Sequence, residues 1–340
     1  MTLDRREPTF GHLYSYSVHG LCVVSDFAIE DMRFNATDEA SSYPQLLTTL
    51  RAKASEIPQP ARGDWIVRSK SDVSIGTTAS GLVFESYCGS RALLSDASDE
   101  AKSHATLYVA RPPSISTTRF NHTVMHSFIP HSLAARGHIF LHAACVDIGG
   151  FGLLVAGDGG RGKSTIAAGF SLRGNRVFAE DVVRVTVGGG TMVAYPSYLG
   201  ARLRSDNFLL PDRLRSARQG RYGLPKHRIE PAIHSTRMGS IDGGALVVSS
   251  ALFLASGPSI TGQLHPLSGV GTLQHLLMHG LFAGAGRDAF MDSWLPAVAD
   301  GLAAVRGANF RFRKSVEHFP VLLGTIESFA LAKAGARLDA

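Results

Sequence analysis

Residues 153–166 read LLVAGDGGRGKSTI, and the rest of the chain is best understood outward from this stretch. A short apolar run leads into eight residues, Gly157 to Ser164, that follow the pattern G-x-x-x-x-G-K-[ST]. Residues compatible with a helix come next. A strand before this pattern and a helix after it are typical of a phosphate-binding loop. The alternative interpretation is a glycine-rich strand-to-helix turn that matches the pattern by chance.

The same pattern predicts which groups would hold a nucleotide. Successive glycines let backbone N–H groups turn onto phosphate oxygens, and the positive end of the following helix attracts the same charge. Lys163 would reach the β- and γ-phosphates, and the Ser164 hydroxyl would bind Mg²⁺. We therefore predict a site for ATP and Mg²⁺. The candidate nucleotide-binding residues are Gly157, Asp158, Gly159, Gly160, Arg161, Gly162, Lys163, Ser164 and Thr165.

Two adjacent acids follow the next predicted strand. That strand is predicted over residues 176–179, and Glu180 and Asp181 come directly after it. In an open α/β sheet, ligands bind at the C-terminal ends of the strands. One carboxylate could hold Mg²⁺ while the other accepts a proton from an attacking hydroxyl group. The sequence leaves open which acid has which role, and an ordinary acidic turn is the alternative.

His142 lies within residues 139–148, an apolar stretch that we predict to form one buried strand upstream of the loop. A histidine in such a strand could be a hydrogen-bonded core residue. It could also point its imidazole at the phosphates or at the acceptor hydroxyl. The residues alone leave both interpretations open.

Residues 202–228 are rich in arginine and contain two acids, Asp206 and Asp212. Such a stretch could stabilise charge on a transferring phosphoryl group or bind an acidic peptide. The alternative is a solvated basic surface. The candidate phosphate or substrate contacts here are Arg202, Arg204, Lys226 and Arg228.

Composition limits the class of protein. The 340 residues carry a formal net charge of +6, which favours an acidic partner, and nucleotide phosphate alone could supply that acidity. No zinc-finger spacing or aromatic-rich basic run indicates nucleic-acid binding. The cysteines Cys22, Cys88 and Cys145 form no C-x-x-C pair, so neither disulfides nor zinc are indicated. We find no signal peptide and no membrane-spanning run, and we expect a cytoplasmic protein.

The strand and helix signals predict two domains. Residues 1–115 combine short alternating strands with turns, which predicts a small, mostly antiparallel β-rich domain with one short helix over residues 43–54. Residues 111–116 are a candidate linker. Residues 120–340 alternate strands with helices, which predicts an α/β domain around the phosphate loop. Its first helix, over residues 120–136, should bend before Pro130 and end at Gly137.

Residues 138–187 resemble the catalytic core of the HPr kinase/phosphorylase family. That family has a histidine-containing strand, a G-D-S-G-x-G-K-S loop and a strand that ends in paired acids. Here these places read LHAACVDI, GDGGRGKS and RVFAED. The resemblance continues more weakly to about residue 285. The stretch YSYSVHGLCVVSDF, near the N terminus, resembles the HPr-kinase-related proteins of ribosomal peptide clusters, including lasso-peptide precursor kinases.

This resemblance implies an α/β domain of the HPr kinase C-terminal type that transfers the γ-phosphoryl group of ATP to a serine hydroxyl. It implies catalytic roles for His142, Lys163, Glu180 and Asp181, and Mg²⁺ ligation by Ser164 and Asp181. It also implies a peptide substrate, with a lasso-type precursor as the leading candidate, and a homo-oligomer. The family's L-E-I-R-G-L-G segment is replaced by LGARLRSDNF, so the reverse, phosphorylase reaction and recognition of HPr stay open.

Three other functions stay open at this point. A kinase of free serine or another small hydroxyl compound would use the same site residues and differ in its acceptor. A non-catalytic regulator would bind ATP without transferring phosphate. A phosphate-loop ATPase coupled to a partner would need an arginine from a neighbouring subunit, which one sequence cannot show.

Overall fold

The computed structural model describes residues 13–29, 46–51, 53, 55–67, 73–95, 104–197, 201–210, 226–229, 245–281, 295–296 and 298–332. Within these ranges the chain forms two compact units. The first contains the described residues up to His138 together with Leu281, and the second contains those from Ile139 to Gly280 and from 295 onward. No helix in the described ranges is long and apolar enough to cross a membrane.

In the described part of the first unit, eight strands form one sheet in the order β1-β2-β3-β8-β7-β6-β5-β4. Most neighbours are antiparallel, but β3 runs parallel to both β2 and β8. The strands are β1 (Tyr14–Val18), β2 (Leu21–Ser25), β3 (Leu46–Arg51), β4 (Trp65–Val67), β5 (Val73–Thr78), β6 (Gly81–Ser86), β7 (Arg91–Ser95) and β8 (His104–Ala110).

Two sequence predictions for this unit are wrong. The short helix predicted over residues 43–54 is replaced by β3, whose backbone is hydrogen-bonded on both sides by parallel neighbours. Tertiary pairing overrides the helical spacing of the leucines there. The alternation of apolar and polar residues over 12–24 predicts one half-buried strand, but the described residues there form the β1–β2 hairpin. The turn uses His19 and Gly20, both at positive φ (58° and 65°), as a tight two-residue hairpin requires.

The predicted helix over residues 120–136 forms in three connected parts. These are α1 (Thr117–Thr123), a π-helical turn (Val124–Phe128) and α2 (Ile129–Ala134). Ser116 caps the start, since its hydroxyl oxygen accepts a hydrogen bond from the backbone N–H of Arg119 at 3.2 Å. Pro130 lacks an N–H group, and the π-turn stands directly before α2. The π-turn thus interrupts the α-helix just before Pro130, where the sequence predicts a bend.

In the described part of the second unit, nine strands form a mixed sheet. Its main order is β12-β10-β11-β17-β14-β13-β9, and β19 lies between β17 and β18. The strands are β9 (Ile139–Leu141), β10 (Ala143–Ile148), β11 (Phe151–Ala156), β12 (Val177–Ala179), β13 (Val183–Gly188), β14 (Thr191–Tyr195), β17 (Leu246–Ser256), β18 (Gln263–Pro266) and β19 (Arg306–Phe312). A separate antiparallel pair joins β15 (Ala201–Arg204) to β16 (Lys226–Ile229).

Strand direction determines where a ligand site can form in this sheet. Strands β11, β17 and β19 run parallel to one another, whereas β10 runs antiparallel to β11. The C-terminal ends of the three parallel strands therefore lie at one edge of the sheet, which is the edge where open α/β sheets bind ligands. The sequence also favours an edge strand over residues 310–314. A strand, β19, does form there, but it is not at an edge, because it pairs with β17 on one side and β18 on the other.

The helices of ten or more residues in the described part of this unit are α3 (Lys163–Leu172), α4 (Gly269–Met278) and α5 (Phe319–Leu331). Helices α3 and α5 cover one face of the sheet. Their core contacts include Ile166, Phe170, Leu153, Phe310, Leu322 and Phe329. The two helices approach closely at Gly169, where an added Cβ would lie 2.7 Å from the Phe319 ring. This packing fixes the position of the helix that follows the glycine-rich loop.

Candidate functional site

The glycine-rich loop connects β11 to α3, as the sequence predicts. Gly157 begins the loop beside β17, and a Cβ there would lie 3.0 Å from the Leu254 carbonyl oxygen. Gly162 precedes the first turn of α3 with φ at +108°, a left-handed conformation that strongly favours glycine. The backbone therefore needs glycine at both ends of the loop. Gly157 allows the close approach of β17, and Gly162 adopts the left-handed dihedral angle.

Lys163 is the first residue of α3, and its side chain returns over the loop. Only 6% of the residue is exposed, and its Nζ donates a hydrogen bond to the Gly157 carbonyl oxygen at 2.6 Å. From the end of β19, Lys314 Nζ donates to the Gly160 carbonyl oxygen at 2.5 Å. Arg161 donates to the Ser256 hydroxyl at the end of β17. Groups from all three parallel strand ends thus meet at the loop.

His142 stands between β9 and β10, where the predicted single strand divides into two. Strand β9 pairs with β13, whereas β10 pairs with β11 and β12. The side chain is 43% exposed, so the interpretation of His142 as a buried core residue is wrong. Its Nε2 lies 3.1 Å from Asp181 Oδ1, and the Asp181 side chain is 26% exposed. Because the chain changes strand partners at His142, its imidazole lies next to Asp181, which follows β12.

Glu180 and Asp181 have different surroundings although they are adjacent. Glu180 is 1% exposed, and it does not contribute to the wall of the cavity described next. Asp181 does contribute to that wall. Of the two acids predicted from the sequence, the structure places Asp181 where a ligand could reach it.

His279, the residue directly after α4, is hydrogen-bonded to the backbone of His142. The backbone N–H of His142 donates to the His279 carbonyl oxygen at 2.7 Å, and Leu141 forms a bridge with Gly280. The His279 ring is stacked against Phe253, with ring centroids 6.1 Å apart. Burial, together with a smaller contribution from the nearby His142 and Lys163, lowers the pKa of His279 to about 4. At neutral pH the His279 imidazole is therefore uncharged.

The loop, His142 and Asp181 line one cavity of about 690 Å³, a volume within the range of small-molecule sites. One end is formed by the loop residues from Gly159 to Thr165, with His142 and Asp181. The walls also carry the cations Arg161, Arg204 and Lys314 and the acid Asp206. Arg204 pairs with Asp206, with 3.2 Å between guanidinium and carboxylate. Cations outnumber carboxylates along the described walls, as suits a polyanionic ligand.

The four predicted basic contacts lie on the β15–β16 pair. In its register Arg202 stands opposite Arg228, and Arg204 stands opposite Lys226. The Arg204 side chain lines the cavity. The side chains of Arg202, Lys226 and Arg228 lie outside the part of the chain that the structure describes. Their roles therefore stay predictions.

The cavity suits the nucleotide and Mg²⁺ that the sequence predicts. Cβ atoms added at Gly159 and Gly160 would meet no atom within 4 Å, so open space adjoins the loop backbone. The Ser164 hydroxyl and the Asp181 carboxylate line the cavity beside the loop. Their oxygens are the kind of hard ligand that Mg²⁺ prefers. No cluster of three potential metal-ligating side chains occurs in the described ranges. Mg²⁺ commonly binds through one or two carboxylates plus substrate phosphates, so the donor set fits.

Several residues of the cavity were missed by sequence reasoning. Lys314, Phe312 and Phe208 line it, and Asn207 donates from its amide to the Thr165 hydroxyl at 2.8 Å. Lys314 lies 151 residues after Lys163 in the chain, and no motif joins the two. The parallel pairing of β17 with β19 brings this lysine to the loop.

No family model and no curated protein matches the sequence. One similar solved structure is the Hpr(Ser) kinase/phosphatase from Coxiella burnetii, at 13% sequence identity and a TM-score of 0.32. The similarity covers 59% of this chain and 92% of that chain. At this TM-score it carries no argument about function.

Proposed function

We propose that the second unit is an ATP-dependent kinase whose acceptor is a serine hydroxyl in a peptide, such as the precursor of a lasso-type ribosomal peptide. One observation carries the proposal. The loop cation Lys163 and the His142–Asp181 pair line the same cavity, so a phosphate-binding group and a proton-accepting group face one space. Phosphoryl transfer to a hydroxyl group needs both.

The cations act on the triphosphate. Lys163 releases the Gly157 carbonyl oxygen and pairs with the β- and γ-phosphate oxygens, and Lys314 stands over the loop from the other side. The bond between the γ-phosphorus and the bridging oxygen breaks, and a bond to the serine oxygen forms. Charge that spreads over the transferred group is stabilised by the Lys163 and Lys314 ammonium groups, which lowers the barrier.

The His142–Asp181 pair takes the proton of the serine hydroxyl. Asp181 Oδ1 accepts a hydrogen bond from His142 Nε2–H, and the Asp181 carboxylate is the group that accepts the proton of the serine hydroxyl. His142 thereby holds the carboxylate in one orientation. Ser164 and Asp181 would hold Mg²⁺, which supplies neutralisation of phosphate charge when bound.

A peptide acceptor is supported by the resemblance to precursor kinases and by the basic β15–β16 pair. Four cationic residues stand on these two strands, and Arg204 among them lines the cavity. Cationic residues on strands beside a kinase site attract acidic peptide segments. A free amino acid would need little of this surface.

The first test is mass spectrometry of acceptors after incubation with the protein and Mg-ATP. The acceptors are a precursor peptide encoded near the gene, free serine and the HPr protein. We expect one added phosphoryl group on a peptide serine. We expect Lys163→Ala to abolish it because the lost cation acts in the transition state. The matched control is Lys53→Ala, which removes an exposed lysine of the first unit and should leave transfer unchanged.

The outcomes separate the candidate functions. Phosphorylation of free serine alone would replace the peptide kinase with a metabolic kinase. ATP binding without transfer to any acceptor would support a non-catalytic regulator. Undiminished transfer by the Lys163→Ala variant would contradict the assignment of the loop.

A further inference from the structure

The cavity continues beyond the phosphate loop into an apolar end. This end is lined by Ile166, Leu203, Phe208, Phe312, Phe319 and Leu322. Phosphate groups gain nothing from such a surface, because burying charge against apolar side chains is costly. The apolar end therefore suits a part of the ligand that is itself apolar and flat.

The apolar end directly adjoins the loop. Phe312 Cζ lies 3.6 Å from the position of a Cβ added at Gly162, so its ring borders the last loop residue. Two residues later, Lys314 Nζ bonds to the Gly160 carbonyl oxygen. Residues two apart in an extended segment project to the same side. A ligand held by the loop thus meets aromatic surface immediately beside its phosphate groups.

Phe208 forms another aromatic part of this wall. It is partly buried, and its ring packs edge-to-face on Phe319 with centroids 5.1 Å apart. Phe319 in turn packs on α3 at Gly169. This support from the helices holds the Phe208 ring in place as a platform on which a planar group can stack.

The polar side chains at this end already have partners within the chain. Asn207 donates to the Thr165 hydroxyl at 2.8 Å and accepts from the Leu209 backbone N–H at 3.0 Å. The Ser315 hydroxyl lies 3.1 Å from His318 Nδ1. Arg204 is paired with Asp206. Among the described residues of this wall, the side chains offer a planar ligand mainly apolar surface.

We propose that the apolar end is a nucleobase site that holds the base by stacking and apolar contact, and that it discriminates little between adenine and guanine. A site built from hydrogen bonds rejects the wrong ligand strongly, whereas an apolar site does not. The phosphoryl donors are then purine nucleoside triphosphates as a class. This inference rests on the proposed function, because it takes the loop to hold the triphosphate.

The test is isothermal titration calorimetry with Mg²⁺ and three probes: ATP, GTP and inorganic tripolyphosphate. For the wild-type chain we expect dissociation constants for ATP and GTP within about fivefold of each other, and tripolyphosphate binding at least about tenfold weaker. In Phe208→Ala, ATP and GTP should both weaken about tenfold while tripolyphosphate stays unchanged, because base stacking on an aromatic ring is lost.

The matched control is Phe151→Ala, which removes a partly buried ring at the opposite end of β11 and should leave all three affinities unchanged. Equal weakening of ATP and tripolyphosphate in Phe208→Ala would overturn the base site, as would wild-type tripolyphosphate binding as tight as that of ATP. That last comparison needs no variant, so it decides the matter even if Phe208→Ala does not fold.

The two proposals fail in different ways. ATP binding more than about fiftyfold tighter than GTP binding would show hydrogen-bonded recognition and overturn the lack of discrimination. In each of these cases tripolyphosphate still binds, so the proposed function stands. If Lys163→Ala leaves tripolyphosphate binding unchanged, the loop does not hold phosphate. Both the proposed function and the base site are then overturned.

Discussion

Glu180 and Asp181 are adjacent in sequence, yet they offer different chemistry. Successive side chains at the end of a strand point to opposite sides, so one acid turns into the protein when the other turns out. Here Glu180 is buried, and Asp181 lines the cavity beside His142. At the scale of single residues this alternation decides which acid can meet an acceptor hydroxyl.

Asp181→Asn should lower kcat by about 10²- to 10⁴-fold with little change in the thermal midpoint, because the amide cannot accept the hydroxyl proton. Glu180→Gln should instead change stability and leave kcat of the folded enzyme within a fewfold of wild type. Steady-state kinetics and thermal melts of both variants test the assignment. An equal loss of kcat at unchanged stability in Glu180→Gln would contradict it.

His279 should make stability depend on pH. Its pKa is lowered to about 4 in the folded chain, against 6.5 in the unfolded chain. As the pH falls from 6.5 to 4, the unfolded chain gains a proton that the folded chain does not bind, so stability falls. Because the ring is partly exposed and screened, we expect a loss of about 1 kcal/mol.

Urea unfolding at pH 7 and pH 4.5 measures this loss. The His279→Gln variant should lose about 1 kcal/mol less than wild type over that interval. His265→Gln removes an exposed histidine on β18 and serves as the control. Identical pH dependence in wild type and His279→Gln would show that His279 is not held uncharged by the fold.

At the scale of elements, the close packing of α3 against α5 positions the loop. Helix α3 begins with Lys163 and Ser164, so any shift of this helix moves both candidate ligand-binding side chains. Gly169 allows the approach because it has no Cβ to meet the Phe319 ring and Leu323. The lack of a side chain at Gly169 thus fixes the position of Lys163 and Ser164, about one and a half helical turns earlier in α3.

Gly169→Ala and Gly324→Ala form a matched pair on these two helices. An added Cβ at Gly169 would overlap Phe319, and overpacking costs about 1 to 3 kcal/mol, which exceeds the helix-propensity gain of about 1 kcal/mol. At Gly324 an added Cβ meets no atom within 4 Å, so the propensity gain alone remains. Chemical denaturation should therefore find the first variant destabilised and the second stabilised. The opposite order would contradict the packing.

At the scale of the whole molecule, every residue that lines the cavity belongs to the second unit. ATP binding should therefore stabilise that unit. At a ligand concentration 100 times the dissociation constant the stabilisation is about 2.7 kcal/mol, which corresponds to a rise in melting temperature of about 5–10 °C. Circular dichroism at 222 nm with and without Mg-ATP measures the rise.

A fluorescence melt shows which unit responds. In Trp294→Phe the remaining tryptophan is Trp65, on β4 of the first unit. An ATP-dependent shift confined to the Trp65 signal would contradict the placement of the site. Lys163→Ala should lose the shift seen by circular dichroism, which ties it to the loop.

The sequence by itself determined the local features of this protein. The run of glycines and the Lys163-Ser164 pair specify a loop between β11 and α3, because the backbone conformation there depends on residues next to one another. The interruption of the helix just before Pro130 was predictable for the same reason. The helix predicted over residues 43–54 is wrong because local spacing does not determine the structure there. Strand β3 forms by pairing with β2 and β8, and β8 is distant from it in sequence.

The tertiary structure alone decided how the site is assembled. Strand pairing divides residues 139–148 at His142, orients Asp181 toward the imidazole, and brings Lys314 and the aromatic wall to the loop. These residues come from distant parts of the chain, and no local pattern records their distances. They meet because parallel strands end at one edge of the sheet and because the α3–α5 packing fixes the helix that carries Lys163.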